Sequence, residues 1–257
     1  MRYEILGPLR VVDGDTSSSI SARKIEIALA VLLIRADQVV THDQLMTEIW
    51  GDRPPRRATA GLHVYISQLR KFLYRPGQLE NPVVTRQSGY LLRTGSDELD
   101  VRIFLDLVKQ GRADVREQRY EQAVHRFESA LALWRGPVLG DLRDGPVLTG
   151  YATWLTEARL ECLEMLADVC LRLGRHRELV GRLYSLTAEN PLCETFYRQL
   201  MVALYRSERQ ADALMVYQAA RRTLQDELGL EPGRALREVQ QAILSDDNRQ
   251  LGVLAPS

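Results

Sequence analysis

The sequence predicts a mainly α chain with a small β component. An N-terminal domain of three helices closed by a β-hairpin comes first, and an all-α domain of helical repeats follows. Three observations carry this reading. Apolar residues recur at helical spacing in three separate stretches between residues 22 and 73. The segment "VVTRQSGYLL" (83–92) has a β-branched run, a Gly-containing turn and an aromatic-aliphatic return, the pattern of a hairpin. From about residue 98 the pattern becomes continuously helical, with a 34-residue internal period. At 257 residues the chain has room for two domains and a sizeable core. The expected boundaries are 1–97, 98–245 and a flexible tail over 246–257.

Taken in order, "YEILGPLRVV" reads as a short sheet around a Gly-Pro turn, and "DGDTSSSIS" as a polar turn, with Ser21 as a candidate cap for the next element. "ARKIEIALAVLLIRA" places Ile25, Leu29, Leu32 and Leu33 on a buried helix. In "VVTHDQLMTEIWG", Thr41 is the expected N-cap and Gln44 completes a capping box. Leu45, Ile49 and Trp50 form the inner face, Trp50 is read as structural, and Gly51 ends the helix before the stiff turn "DRPPRR". In the third helix Leu62, Ile66, Leu69 and Leu73 make a core stripe, which leaves His63, Ser67, Arg70 and Lys71 on the solvent side. Tyr65 reads equally well as core or as a phosphate donor.

In the helical half, "YEQAVHRFESALALW" is amphipathic, and "RGPVLGDLRDGPVL" interrupts the helices with two Gly-Pro turns. Leu155, Ala158, Cys162, Leu166, Val169 and Leu173 share one face of the next helix. Leu179 and Ala213 stand 34 residues apart in equivalent positions, and an Ala-x-x-x-aromatic step occurs at Ala123–Phe127 and Ala213–Tyr217. That period belongs to tetratricopeptide-like helix pairs.

Composition bounds the function. Hydrophobic residues are 45% and charged residues 26%, values of a globular protein rather than a disordered one. No apolar run is long enough to span a membrane and no signal peptide is recognisable, so a cytoplasmic, nucleoid-associated protein is expected. Cys162, Cys170 and Cys193 lie in apolar helical patterns without C-x-x-C pairing and read as free buried thiols. His42, His125 and His176 lack metal-ligand spacing. Phosphate-loop, dinucleotide, metalloprotease and nucleophile-elbow motifs are missing, so no enzyme, metal or cofactor is expected.

Charge is distributed unevenly. Residues 1–96 hold 13 Arg/Lys against 9 Asp/Glu, whereas residues 97–257 hold 21 against 25, in a chain of formal net charge zero. The stretch from Arg53 to Leu79 contains no acid at all. Three helices followed by a hairpin describe a winged helix-turn-helix, whose third helix enters the major groove while the hairpin touches backbone or minor groove. Such a face must lack carboxylates and carry cations. Arg56 and Arg57 precede the third helix, where its dipole favours phosphate. Thr59, His63, Val64, Ser67 and Gln68 face the groove; Gln68 suits adenine and Val64 a thymine methyl. Arg70 and Lys71 are expected phosphate clamps, and Arg86 is the wing contact.

The segment "THDQLMTEIWGDRPPRRATAGLHVYISQLRKFL…VVTRQSGYLL" resembles the OmpR-type winged-helix DNA-binding domain. "LWRGPVLGDLRDGP" and "NPLCETFYRQLMVALYRSERQADALMVYQAARRTLQDELGLEPGRALREVQQAIL" resemble the bacterial transcriptional activation domain. Together they resemble a small Streptomyces antibiotic regulatory protein. The resemblance implies an activator of a secondary-metabolite gene cluster that binds direct repeats near the −35 region and recruits RNA polymerase, with protomers side by side on DNA. It also implies backbone-holding roles for Arg70 and Lys71 and a wing role for Arg86. His63, Val64 and Gln68 stand where the family pattern "LQTYVSRLR" often has Gln, Thr and Arg, and Cys193 stands where it usually has Arg. No receiver domain precedes the winged helix, so activity is expected to be set by expression level or by a ligand or partner on the helical domain. A helical-repeat interaction adaptor without specific DNA binding is the alternative.

Overall fold

The computed structural model describes residues 1–75, 80–142 and 145–245. The expected tail at 246–257 therefore lies outside the described residues, as does part of the loop after the third helix. Strands β1 (Arg2–Glu4), β2 (Arg10–Asp13) and β3 (Thr16–Ser18) form an antiparallel meander. Then come α1 (Arg23–Ile34), the two-residue β4 (Val40–Thr41), α2 (His42–Trp50), α3 (Ala58–Phe72), β5 (Val83–Arg86), β6 (Gly89–Leu92) and β7 (Glu98–Leu99). The rest is helical: α4 (Asp100–Arg116), α5 (Tyr120–Ala132), α6 (Pro146–Arg172), α7 (His176–Glu189), α8 (Glu194–Arg206), α9 (Gln210–Leu228) and α10 (Arg234–Leu244).

The chain forms two compact units. One joins Met1–Leu107 to Ser129–Arg159; the other joins Val108–Glu128 to the chain from Leu160 onward. In the first unit α1 is the central post, with eight of its twelve residues buried, from Ile25 to Leu33. Leu45 and Ile49 of α2 and Leu62, Ile66, Leu69 and Leu73 of α3 are buried as the apolar spacing requires. The capping box is present: Thr41 Oγ1 accepts from Gln44 N at 3.2 Å, and Gln44 Oε1 accepts from Thr41 N at 3.0 Å.

Several local expectations are corrected. Ser21 does not cap α1: the N-cap is Ala22, which has no side-chain hydrogen bond to offer. The stretch 13–21 is more than a turn, because Gly14 (φ 57°) reverses the chain so that Thr16–Ser18 pairs with β2. β1 also pairs in parallel with β7, Tyr3 opposite Leu99, closing a sheet of order β3-β2-β1-β7. The expected hairpin pairs Val83 with Leu92 and Arg86 with Gly89, and β4 adds a third strand along β6. That addition requires glycine at 89, since a Cβ there would lie 2.8 Å from Thr41 Cα and closer still to the Val40 carbonyl.

Three carboxylates tie this unit together. Glu48, on the inner face of α2, is 1% exposed. Its Oε1 accepts from Val147 N at 2.7 Å and its Oε2 from Leu148 N at 3.2 Å, so it serves as the cap of α6. Gly145 packs against this carboxylate with no space for a side chain. Asp100, at the start of α4, accepts from Ile5 N at 3.0 and 2.9 Å and from Leu6 N at 2.9 Å. Burial pushes the Asp100 carboxyl up, and these backbone donors oppose the shift. Asp97 accepts from Arg75 Nη2 at 2.6 Å and from the Tyr3 hydroxyl at 3.4 Å. Burial alone would raise the Asp97 carboxyl, but the Arg75 guanidinium, together with the Met1 ammonium 2.7 Å from Oδ1, outweighs it and holds the group below its usual range.

In the second unit the repeat is visible as stacked helix pairs. Ala123, Phe127 and Ala213 are fully buried, with Leu179 and Tyr217 nearly so. Gly111 permits the close crossing of α4 and α5, since a Cβ there would meet Phe127 at 2.5 Å. Gln199 of α8, also fully buried, donates to the Glu164 carbonyl and to Asp168 Oδ1 at 2.9 and 2.8 Å. Glu194 Oε2 accepts from Gly233 N at 2.7 Å, the start of α10. On α6, Leu155, Cys162, Leu166 and Val169 are buried, whereas Ala158 and, just past the end of the helix, Leu173 are only half buried. Burial pushes the Cys162 thiol up to about 12, which leaves it unreactive. Among the described residues no helix is long and apolar enough to cross a membrane.

These ties can be measured in two ways. Glu48→Gln keeps the shape but turns an amide group toward two N–H donors, so chemical denaturation is expected to show a loss of about 2 kcal/mol; an unchanged midpoint contradicts the cap. Asp97 has a depressed folded value, so its contribution is present above the unfolded carboxylate range and is lost as pH falls through the folded value. Asp97→Asn is therefore expected to lower the melting temperature at neutral pH. The gap from wild type should narrow steadily as pH is lowered, and a gap that stays constant with pH contradicts this assignment.

Candidate nucleic-acid interface

The geometry of α3 follows from its sequence period. With Leu62, Ile66 and Leu69 turned inward, Thr59, His63, Val64, Ser67, Gln68 and Lys71 are exposed on the other side. Val64 is 51% exposed, an apolar group presented to solvent among polar neighbours. Arg56 and Arg57 are exposed immediately before the helix, and Arg57 is its N-cap residue. No side chain caps this end and no acid lies in the first turn, so its positive dipole is uncompensated locally. Arg70 and Lys71 fall in the last turn.

Arg86 is exposed at the end of β5, with Gln87 and Ser88 forming the hairpin tip. Arg56, Arg57, Lys71 and Arg86 have no acidic partner among the described residues. Elsewhere arginines are commonly paired, as in Arg23–Asp141, Arg75–Asp97, Arg102–Asp37, Arg112–Glu161 and Arg221–Glu231. These four cations lie on α3, its leading turn and the adjoining wing, and the stretch from Arg53 to Leu79 that holds three of them contains no acid.

Arg70 differs from its neighbours. It is half buried, and its Nε donates to the Val83 carbonyl at 3.0 Å while Nη2 donates to Thr85 Oγ1 at 2.8 Å. Asn81 completes the joint: its Nδ2 donates to the Arg70 carbonyl at 3.0 Å, and its Oδ1 accepts from Val83 N at 3.0 Å. The third helix and the wing are therefore bolted to each other. Sequence reasoning did not single out Asn81, although the Asn-Pro step before a β-branched run is a signal for turn initiation.

A second support lies behind α3. Tyr65 is half buried and stacks on Trp50, with ring centroids 5.8 Å apart and planes 28° apart. Lys24 Nζ sits 5.4 Å from the Trp50 ring centroid. Gly61 lets the helix approach, since a Cβ there would lie 3.3 Å from Trp50. Tyr65 thus belongs to a stack joining α1, α2 and α3. His42 packs edge-on against Tyr90 at 5.2 Å, away from the exposed row.

Comparison with known proteins gives two family matches. The bacterial transcriptional activator domain matches residues 99–244, and the C-terminal domain of transcriptional regulatory proteins matches residues 17–92. Regulatory protein DnrI of Streptomyces peucetius is 36% identical over 253 residues, spanning 96% of this chain and 93% of DnrI. Regulatory protein AfsR of Streptomyces griseus is 38% identical over 247 residues, spanning 96% of this chain and 25% of AfsR. The solved structure of Mycobacterium tuberculosis EmbR in complex with a low-affinity phosphopeptide is similar at a TM-score of 0.89 and 32% identity, covering 99% of this chain and 69% of that one.

The joint between helix and wing generates its own expectation. Arg70→Ala removes two hydrogen bonds and should cost about 1–2 kcal/mol in thermal or chemical unfolding. Lys71→Ala, at an exposed and unpaired position, should leave stability within about 0.5 kcal/mol of wild type. Equal stability of the two variants would contradict the role given to Arg70.

Proposed function

The chain belongs to the Streptomyces antibiotic regulatory proteins, transcriptional activators that join an OmpR-type winged helix to a bacterial transcriptional activator domain, and from that premise we propose that it is a sequence-specific DNA-binding activator of a secondary-metabolite gene cluster. The observation that supports this most directly is the set of unpaired cations on α3 and its flanks. A duplex carries dense negative charge, and a face meant for it must offer Arg and Lys not already neutralised by the protein. Arg56, Arg57 and Lys71 hold phosphates, and Arg86 reaches backbone or minor groove from the wing. Thr59, His63, Ser67 and Gln68 meet base edges or adjacent phosphates; Gln68 pairs with adenine, and Val64 packs on a thymine methyl. Arg70 combines a backbone contact with its hold on the hairpin.

In this reading residues 1–97 form the DNA-binding domain and residues 98–245 the activation domain. The sites are direct repeats near the −35 region. Protomers lie side by side on one face of the duplex, with centres about 10–11 base pairs or a multiple apart. The helical domain supplies contacts between protomers, and part of the segment 41–75 touches RNA polymerase. The protein works in the cytoplasm, at the nucleoid.

The test uses the full chain, because Glu48 and Asp100 link the first 97 residues to later ones. Footprinting on the promoters flanking its own gene identifies a site, and anisotropy titrations on that duplex follow. Lys71→Ala is expected to weaken binding on all sequences and to reduce the slope of log K against log salt by about 0.9. Gln68→Ala is expected to cost about 1–3 kcal/mol on the footprinted site and little on random duplex. Salt-insensitive binding, or no protected site on any flanking promoter, contradicts the proposal.

A further inference from the structure

Away from α3, the first unit contains a cavity of about 480 Å3 lined by Ile34, Arg35, Pro146, Val147, Tyr151 and Trp154, with Gly150 leaving its floor open. It lies between the end of α1 and the first two turns of α6. The volume falls in the usual range for small-molecule sites, which are mainly apolar with a few polar groups that fix orientation. Its chemistry is specific. Trp154 is 47% exposed, unusual for a tryptophan, and lies 5.3 Å from the Tyr151 ring at a tilt of 51°. Ile34, Pro146 and Val147 add apolar wall. Arg35 is the one charged residue in the described lining; it is exposed, and among the described residues its guanidinium has no hydrogen-bond or ion-pair partner. The Tyr151 hydroxyl also has no hydrogen-bond partner among the described residues, and burial pushes its pKa up to about 12, so it stays a neutral donor. An exposed indole, an adjoining phenol and one free guanidinium together fit a flat ring bearing a negative group.

We propose that this cavity is a binding site for a planar aromatic anion, its ring on Trp154 and Tyr151 and its anionic group on Arg35. The ligand would rest against the turn of α6 whose Val147 and Leu148 N–H groups are held by Glu48 of α2. The site is independent of the DNA-binding reading, and its test needs no DNA.

The probe is 2-naphthoate, titrated calorimetrically into the full chain, with neutral 2-naphthamide as the comparison. Saturable one-to-one binding of naphthoate is expected. Trp154→Ala should weaken it about tenfold or more, as the loss of a stacked ring requires. Arg35→Gln should weaken naphthoate but leave naphthamide unchanged. Both replaced side chains are solvent-accessible, and thermal melts check that the variants remain folded. No saturable binding of naphthoate at low millimolar concentration overturns the proposal. So does equal binding by the folded Trp154→Ala variant, or equal loss of naphthoate and naphthamide in Arg35→Gln. Loss of RNA polymerase association in Trp154→Ala, with no naphthoate binding to wild type, would instead make this face a protein contact and also overturn it.

Discussion

A single buried carboxylate fastens α2, and through it the helix pair that carries the exposed cationic row, to the start of α6. Glu48 is on α2, between residues that pack against α1, and receives the first N–H groups of α6. A buried charge is costly unless it is fully engaged, and here two backbone donors and a helix dipole engage it. Removing either side leaves the other unsatisfied: a charge without donors, or a helix end without acceptors. The arrangement therefore permits little independent movement of α2 relative to the start of α6. Asp100 does the same for the turn after β1, and β7 binds the same region to the first sheet. The helix pair that positions α3 is thus braced by residues beyond the winged helix itself.

Within this frame α3 is held from three directions. Its leucine-isoleucine stripe enters the core, its Tyr65 stacks on Trp50, and its Arg70 grips the first strand of the wing. Each contact removes a degree of freedom from the exposed row. A surface helix whose angle to its wing is fixed does not have to be ordered on binding, which lowers the entropic cost of association. Carboxylates of the unit are turned to structural use, at Glu48, Asp97 and Asp100, while Arg56, Arg57, Lys71 and Arg86 have no acidic partner among the described residues. The division of labour between charges makes one face of a neutral chain attractive to a polyanion.

Much of this was legible in the sequence. The stripe of α3, the Thr41–Gln44 capping box, the hairpin over 83–92 and the Ala-aromatic repeat all depend on local period and propensity, and each appears where the residues place it. The features that could not be read depend on long-range geometry. Glu48 lies three residues after Leu45, on the apolar face, but nothing local says that it meets a helix about a hundred residues later. Strand β3 is made of Thr and Ser and carries no apolar alternation, and β7 is two residues long. Ser21 was a better cap by composition than Ala22, and tertiary packing of α1 overrode that preference. Arg70 illustrates the limit for the site: charge and helix position mark it as a phosphate contact, while its hydrogen bonds to Val83 and Thr85 emerge only when the wing folds back.

The central claim is that the exposed row of α3 lies in the groove of a duplex. Site-specific photo-crosslinking tests it most directly, with a photoreactive residue in place of Val64 in the full chain bound to a footprinted promoter fragment. The account predicts a crosslink from position 64 to bases within the protected site. A protein that still shifts the fragment but yields no crosslink from that position contradicts it.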